Sequence, residues 1–136
     1  MRVFVDSNTL LSSALFPSGV VAKAMQVALT RHRVVICSYV LEESRRIVES
    51  KFPSRIDAFT LFLNSLDFET VYTPTDVVFD GKLMRDPKDV PILVTAQREN
   101  VDIILTGDKD FHALNLKKPE ILSPRDFLNR FGSSAI

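Results

Sequence analysis

The chain has 136 residues, 46% of them hydrophobic and 25% charged, with 17 Lys and Arg balanced by 17 Asp and Glu. This is the make-up of one globular domain spanning residues 1–136, long enough to bury roughly two thirds of the surface its unfolded chain exposes. It excludes a disordered or repeat protein, and a protein that holds nucleic acid by overall positive charge.

Residues 2–5 form a short apolar run that ends at Asp6-Ser7-Asn8-Thr9, four residues able to cap a helix, so a strand entering a helix is the first predicted element. The acid at position 6 arrives too early for a signal peptide, and no apolar stretch approaches the roughly 20 residues of a membrane span. A cytoplasmic protein with no membrane contact is therefore expected. From Gly19 to Arg31, Val20, Ala24, Val27 and Ala28 recur at helical spacing, after which Val34-Val35-Ile36 returns to an extended β-branched run. Cys37 closes that run; as a lone cysteine it forms no internal disulfide and is expected to be a small buried residue.

Ser38 is the predicted cap of a helix from Tyr39 to Ser50. A second helical stretch follows Pro53, with Ile56, Phe59, Leu63 and Leu66 inward, and Phe68–Tyr72 reads as a third strand. Thr73–Arg85, with Pro74, Gly81 and scattered charges, reads as a loop with one short helical turn. Asp86-Pro87-Lys88-Asp89 starts a helix that runs to about Asn100, Asp102–Leu105 is a fourth strand, and Glu120-Ile121-Leu122 a fifth. Ser123-Pro124-Arg125-Asp126 then supplies an N-cap, a proline at the first helical position and an acid at the third for a last helix burying Phe127, Leu128 and Phe131. Alternating strands and helices predict a mostly parallel sheet covered on both faces, with the strand C-termini gathered at one edge where ligands collect.

Four acids share that edge: Asp6 after the first strand, Glu43 in the helix after the second, Asp89 at the start of the helix before the fourth, and Asp108 after the fourth. Helix phase selects Glu43, which is in step with Val40 and Ile47, over Glu42, which lines up with Arg45, Arg46 and Glu49 on the outward side. Carboxylates gathered this closely either take up protons or are neutralised by a cation. Oxygen-only ligands favour Mg²⁺ or Mn²⁺, and such an ion suits phosphodiester hydrolysis. Neither histidine is placed as a nucleophile; His32 beside arginines and His112 on a polar turn are both expected at the surface.

Val5-Asp6-Ser7-Asn8, the segment from Ser38 to Val48 with Glu43, Arg85-Asp86-Pro87-Lys88-Asp89-Val90-Pro91 and Leu105-Thr106-Gly107-Asp108-Lys109-Asp110 resemble, in order and spacing, the PIN-domain family of metal-dependent ribonucleases. The likeness covers about residues 1–130 and is greatest with the VapC-like toxins of toxin–antitoxin pairs. It implies a three-layer α/β/α sandwich on a parallel sheet of about five strands in the order 3-2-1-4-5. It also implies that Asp6, Glu43, Asp89 and Asp108 are catalytic and metal-binding acids, with Asp110 an additional ligand and Asn8 and Thr106 supporting polar residues. Ser38 to Glu43 runs one residue shorter than the commonest family spacing. Asp86 reads as a cap before Pro87.

The implied reaction is RNA cleavage leaving a 5′-phosphate and a 3′-hydroxyl, and the implied partners are a second copy of the chain and a small antitoxin. Lys82, Arg85, Lys88 and Lys109 flank the acids and are candidate phosphate contacts. Val20–Leu29 and Ile56–Leu66 carry more apolar residues than one inward stripe uses, so some of them are expected to face a partner. A haloacid-dehalogenase-like phosphatase is the rival enzyme, since Asp6-Ser7-Asn8-Thr9 stands where its nucleophile loop would; Asn8 argues against it, because an amide cannot serve as proton donor. A phosphorelay receiver fits less well, and a PIN-like module that binds RNA or protein without cutting is the non-enzymatic alternative.

Overall fold

The computed structural model describes residues 1–132; residues 133–136, the tail of the expected single domain, lie outside them. The strands are β1 (Arg2–Val5), β2 (Arg33–Cys37), β3 (Phe68–Val71), β4 (Ile103–Leu105) and β5 (Glu120–Leu122). The helices are α1 (Ser7–Leu15), α2 (Val20–Arg31), α3 (Ser38–Lys51), α4 (Ile56–Ser65), α5 (Val90–Arg98), α6 (Lys109–His112) and α7 (Pro124–Phe131). All pairings are parallel and the sheet order is β3-β2-β1-β4-β5, as expected.

The register places Val3 between Val34 and Ile103, and Phe4 between Val35 and Ile104. Successive strand residues point to opposite faces, yet Val3, Phe4, Val5, Val34, Val35 and Ile36 are all fully buried. Both faces of the sheet are therefore covered by helices, which is why the central strands read as unbroken apolar runs instead of alternating ones. Asn100 takes a left-handed conformation (φ 51°) at the turn from α5 into β4, a geometry that asparagine tolerates better than most residues.

Some local expectations are corrected. Ser38 is the first residue of α3 and does not cap it; Cys37 holds the cap position without a side-chain bond, and the Ser38 hydroxyl accepts instead from the Thr73 N–H at 3.0 Å. The helix predicted from Asp86 to Asn100 divides into a 3₁₀ turn, Pro87–Asp89, and α5. His32 is not a free surface residue: its ring packs edge-on against Phe131 and Phe127, with centroids 4.8 and 5.8 Å apart, and burial lowers its pKa. Cys37 is buried, as expected. Within α2 and α4, Met25 and Phe59 are buried and Val27, Leu29, Ile56, Phe62 and Leu63 pack against the core, as does Leu66 just past the end of α4. Leu61, at 70% exposed, is the clear outward-facing residue of that apolar set.

Candidate active site

Each strand of the sheet's centre delivers an acid to the same edge. Asp6 leaves β1 and caps α1, its Oδ1 accepting from the Thr9 N–H at 2.9 Å. Its Oδ2 accepts from the Thr106 hydroxyl at 2.5 Å. That hydroxyl oxygen in turn accepts from the Asp108 N–H at 3.0 Å, and Asp108 Oδ1 accepts from the Asp110 N–H at 2.8 Å, capping α6. One threonine thus ties the end of β1 to the end of β4. Thr9 reinforces the junction by donating its hydroxyl to the Leu105 carbonyl at 3.1 Å.

Glu43 reaches in from α3, and its Oε1 accepts from the Ser7 hydroxyl at 2.5 Å. Glu42 is exposed and stays outside the cleft, so of the two acids it is Glu43 that lines it. Asp89 stands at the start of α5 without a side-chain capping bond. Asp86 caps the preceding turn by accepting from the Lys88 N–H at 3.0 Å, as its position before Pro87 suggested, and its side also lines the cleft. The resulting cleft, 210 Å³, is lined by Asp6, Asn8, Glu43, Asp86, Asp89, Asp108 and Asp110, with Arg85 and Lys88 as its cations.

Asp89, Asp108 and Asp110 come closest together: one carboxylate oxygen from each lies within 4.8 Å of the others. Asp6 and Glu43 line the same cleft outside that tight group. Such crowding shows in the titration of the acids. Burial, followed by repulsion from Asp108, Asp86, Asp6 and Glu43, pushes the Asp89 carboxyl up to about 7. Burial also raises Asp6, against the opposing effect of its hydrogen bonds from Thr106 and Thr9.

Of the four basic residues singled out by sequence, Lys82 and Lys109 are exposed and outside the cleft, whereas Lys88 lines it. Arg85 does not stand free for a phosphate. Its Nε lies 2.9 and 3.0 Å from the two oxygens of Asp110, so the candidate fifth acid and the candidate RNA contact occupy one another. Sequence reasoning missed three supports of the site. His112 Nε2 lies 2.7 Å from the Thr106 carbonyl, which can only accept, so this nitrogen carries the proton. Met84, buried although it lies in the segment read as a loop, anchors the chain next to Arg85. The Tyr39 hydroxyl donates to the Lys88 carbonyl at 2.9 Å, holding the turn that carries Asp89 against α3.

The fold and this edge define an α/β protein with an acid-lined cleft at the C-terminal ends of parallel strands, and comparison with known proteins places it further. A PIN domain family model matches residues 2–110, and the chain belongs to the PIN-domain family. That membership supports nuclease activity, and a cluster of acids fits metal binding. It sets aside the phosphatase and receiver readings. Among solved structures the chain resembles VapBC2 from Rickettsia felis, bound to a DNA fragment from its promoter (13% identity, TM-score 0.67, 90% of this chain and 98% of that one). It also resembles the Mycobacterium tuberculosis toxin VapC20, which cleaves the Sarcin-Ricin loop (14% identity, TM-score 0.60, 82% and 93%). At such identities these likenesses establish the fold. No curated protein matches the chain.

Proposed function

We propose that this protein is a divalent-metal-dependent endoribonuclease, the toxin of a toxin–antitoxin pair acting in the cytoplasm, with Asp6, Glu43, Asp89 and Asp108 as its catalytic acids. One observation carries the reading: Asp89, Asp108 and Asp110 bring their oxygens within 4.8 Å of one another in the cleft that Asp6 and Glu43 also line. Hard oxygen donors at this spacing suit Mg²⁺ or Mn²⁺. When bound, the ion supplies positive charge to a phosphodiester in reaction and makes water more acidic.

The chain's own residues prepare the cleft for it. Thr106 and Thr9 hold the Asp6 carboxylate by both oxygens, Ser7 holds Glu43, and the Asp110 N–H holds Asp108, so three of the acids are oriented in advance. Asn8 and Lys88 border the same space and offer donors to a phosphate oxygen. A small antitoxin with a basic side chain complements the acids and would silence them. A second copy of the chain is the other partner in this reading, supported by the apolar cleft that Met25, Leu29, Phe62 and Leu66 form between α2 and α4.

The test is cleavage of single-stranded and structured RNA by protein freed of any bound partner. Cutting in Mg²⁺ or Mn²⁺, arrested by EDTA and leaving 5′-phosphate ends, is the expected result. Stable RNA binding with no cleavage in either metal would assign the chain to the non-cutting modules instead.

A further inference from the structure

The acid cleft shares lining residues with two further cavities that differ in chemistry. On one side it shares Asn8 and Asp108 with a cavity of 390 Å³ that has no cation among its lining residues. On the other it shares Glu43, Ile47 and Lys88 with a cavity of 490 Å³ lined also by Tyr39, Arg46, Ser50 and Lys51. Helix phase explains that second wall. Tyr39, Glu43, Arg46 and Ser50 follow one another at spacings of four, three and four residues, which keeps them on one stripe of α3 about 16 Å long. Arg46, placed with Glu42 by sequence, sits at the border of this stripe.

The cations of this wing are uncommitted. Among the described residues, Arg2, Arg85 and Arg130 are in salt bridges, whereas Arg46, Lys51 and Lys88 are in none. Tyr39 stands where the wing meets the acids, its hydroxyl tethered to the Lys88 carbonyl and its ring half-buried. Three free positive groups beside a fixed aromatic ring are the means by which proteins hold a single nucleic-acid strand: charge for the backbone, a ring face for a base.

We infer that the wing formed by Tyr39, Arg46, Lys51 and Lys88 is a subsite for the single-stranded RNA flanking the scissile bond on one side only. This rests on the ribonuclease reading and adds a polarity to it: the strand is gripped by charge on the α3 side and enters the cation-free cavity beyond Asn8 on the other. A chain of zero net charge thereby acquires a local field for a polyanion beside its acids.

The experiment measures binding of a labelled single-stranded RNA by fluorescence anisotropy across a salt series in Ca²⁺, with a gel control that the RNA stays whole. Arg46→Ala/Lys51→Ala should weaken binding about tenfold or more at low salt and flatten the slope of log K against log salt by about 1.4, two phosphate contacts at about 0.7 each. Tyr39→Ala should weaken it about tenfold with the slope unchanged, and Tyr39→Phe should restore most of the loss. Circular dichroism and Mn²⁺ calorimetry on each variant show that the fold and the acid cleft are intact.

An unchanged affinity and slope in the double variant, with wild-type protein still binding and cutting RNA, would overturn the subsite and leave the ribonuclease reading standing. Wild-type protein that neither binds nor cuts RNA would overturn both. A poly-glutamate peptide binding through the same two residues, with RNA not competing, would overturn the subsite in favour of a protein partner.

Discussion

Replacing Asp89 by asparagine should stabilise the metal-free protein, and only at pH values where the carboxylate would be charged. Asp89 makes no capping hydrogen bond, so Asp89→Asn removes charge and little else. In the folded chain its carboxyl is raised from 3.8 to about 7, chiefly by burial and by Asp108, so the native state keeps a proton that the unfolded chain has already shed. Below pH ~4 both states are protonated and stability is full; it is lost progressively as pH rises from about 4 through 7. A shift of about 3 units is worth about 4 kcal/mol at full weight. Solvent screening of a half-exposed carboxylate reduces that to about 1–2 kcal/mol. For a domain of this size the gain corresponds to a Tm increase of about 3–8 °C.

Thermal melts in EDTA from pH 4 to 8 should therefore show the two proteins coinciding near pH 4, diverging progressively above it and reaching a constant difference above pH ~7, the variant melting higher. The burial that raises Asp6 is common to both proteins, and only its repulsion with Asp89 differs between them. Saturating Mn²⁺ should close the gap at pH 8, because the wild type then gains a cation that the variant binds poorly. A constant difference across the pH range, or a variant less stable at pH 8, would refute the account of crowded carboxylates.

Two further substitutions probe the parts around Asp89. Arg85→Ala frees Asp110 of its exposed guanidinium, so calorimetry should find Mn²⁺ bound about three- to fivefold tighter, an advantage that shrinks in high salt; weaker binding would show that Arg85 serves to hold Asp110 in place. Thr106→Val keeps the shape but deletes the hydroxyl shared by Asp6 and the Asp108 N–H, and urea unfolding should show a loss of about 2–3 kcal/mol, whereas an unchanged stability would mean that the threonine does not join β1 to β4 energetically.

What was legible in the sequence follows from which interactions are local. The strands were visible because a parallel sheet buried on both faces needs continuous apolar runs, and Val34-Val35-Ile36 can do little else. Glu43 was visible because helix phase is a local property. The pairings that shape the cleft are not local: Arg85 meets Asp110 twenty-five residues away, and Thr106 meets Asp6 at a separation of one hundred. Ser38 was misread for a related reason, since its hydroxyl serves Thr73 on the neighbouring β3 segment instead of its own helix. His32 between Arg31 and Arg33 has every local mark of a surface residue, and only the return of α7 brings Phe127 and Phe131 to its ring.

For Asp6 and Asp108, the choice between a helix cap and a metal ligand rests on a false opposition. An ionised carboxylate offers about four acceptor directions on two oxygens. In Asp6 the Thr9 N–H takes one on Oδ1 and the Thr106 hydroxyl one on Oδ2; in Asp108 the Asp110 N–H takes one on Oδ1. Acceptor directions remain on both residues for a cation. The caps also bear on a ligand role: donors aimed at Asp6 oppose, without outweighing, the burial that raises its pKa, and they fix the orientation of the carboxylate. Asp89 has no capping donor, and burial together with its acidic neighbours pushes it up to about 7. In the proposed metal site, therefore, Asp6 and Asp108 are fixed in orientation by donors before a cation enters, whereas Asp89 gives up a proton when it enters, which makes the occupancy of the site depend on pH near neutrality.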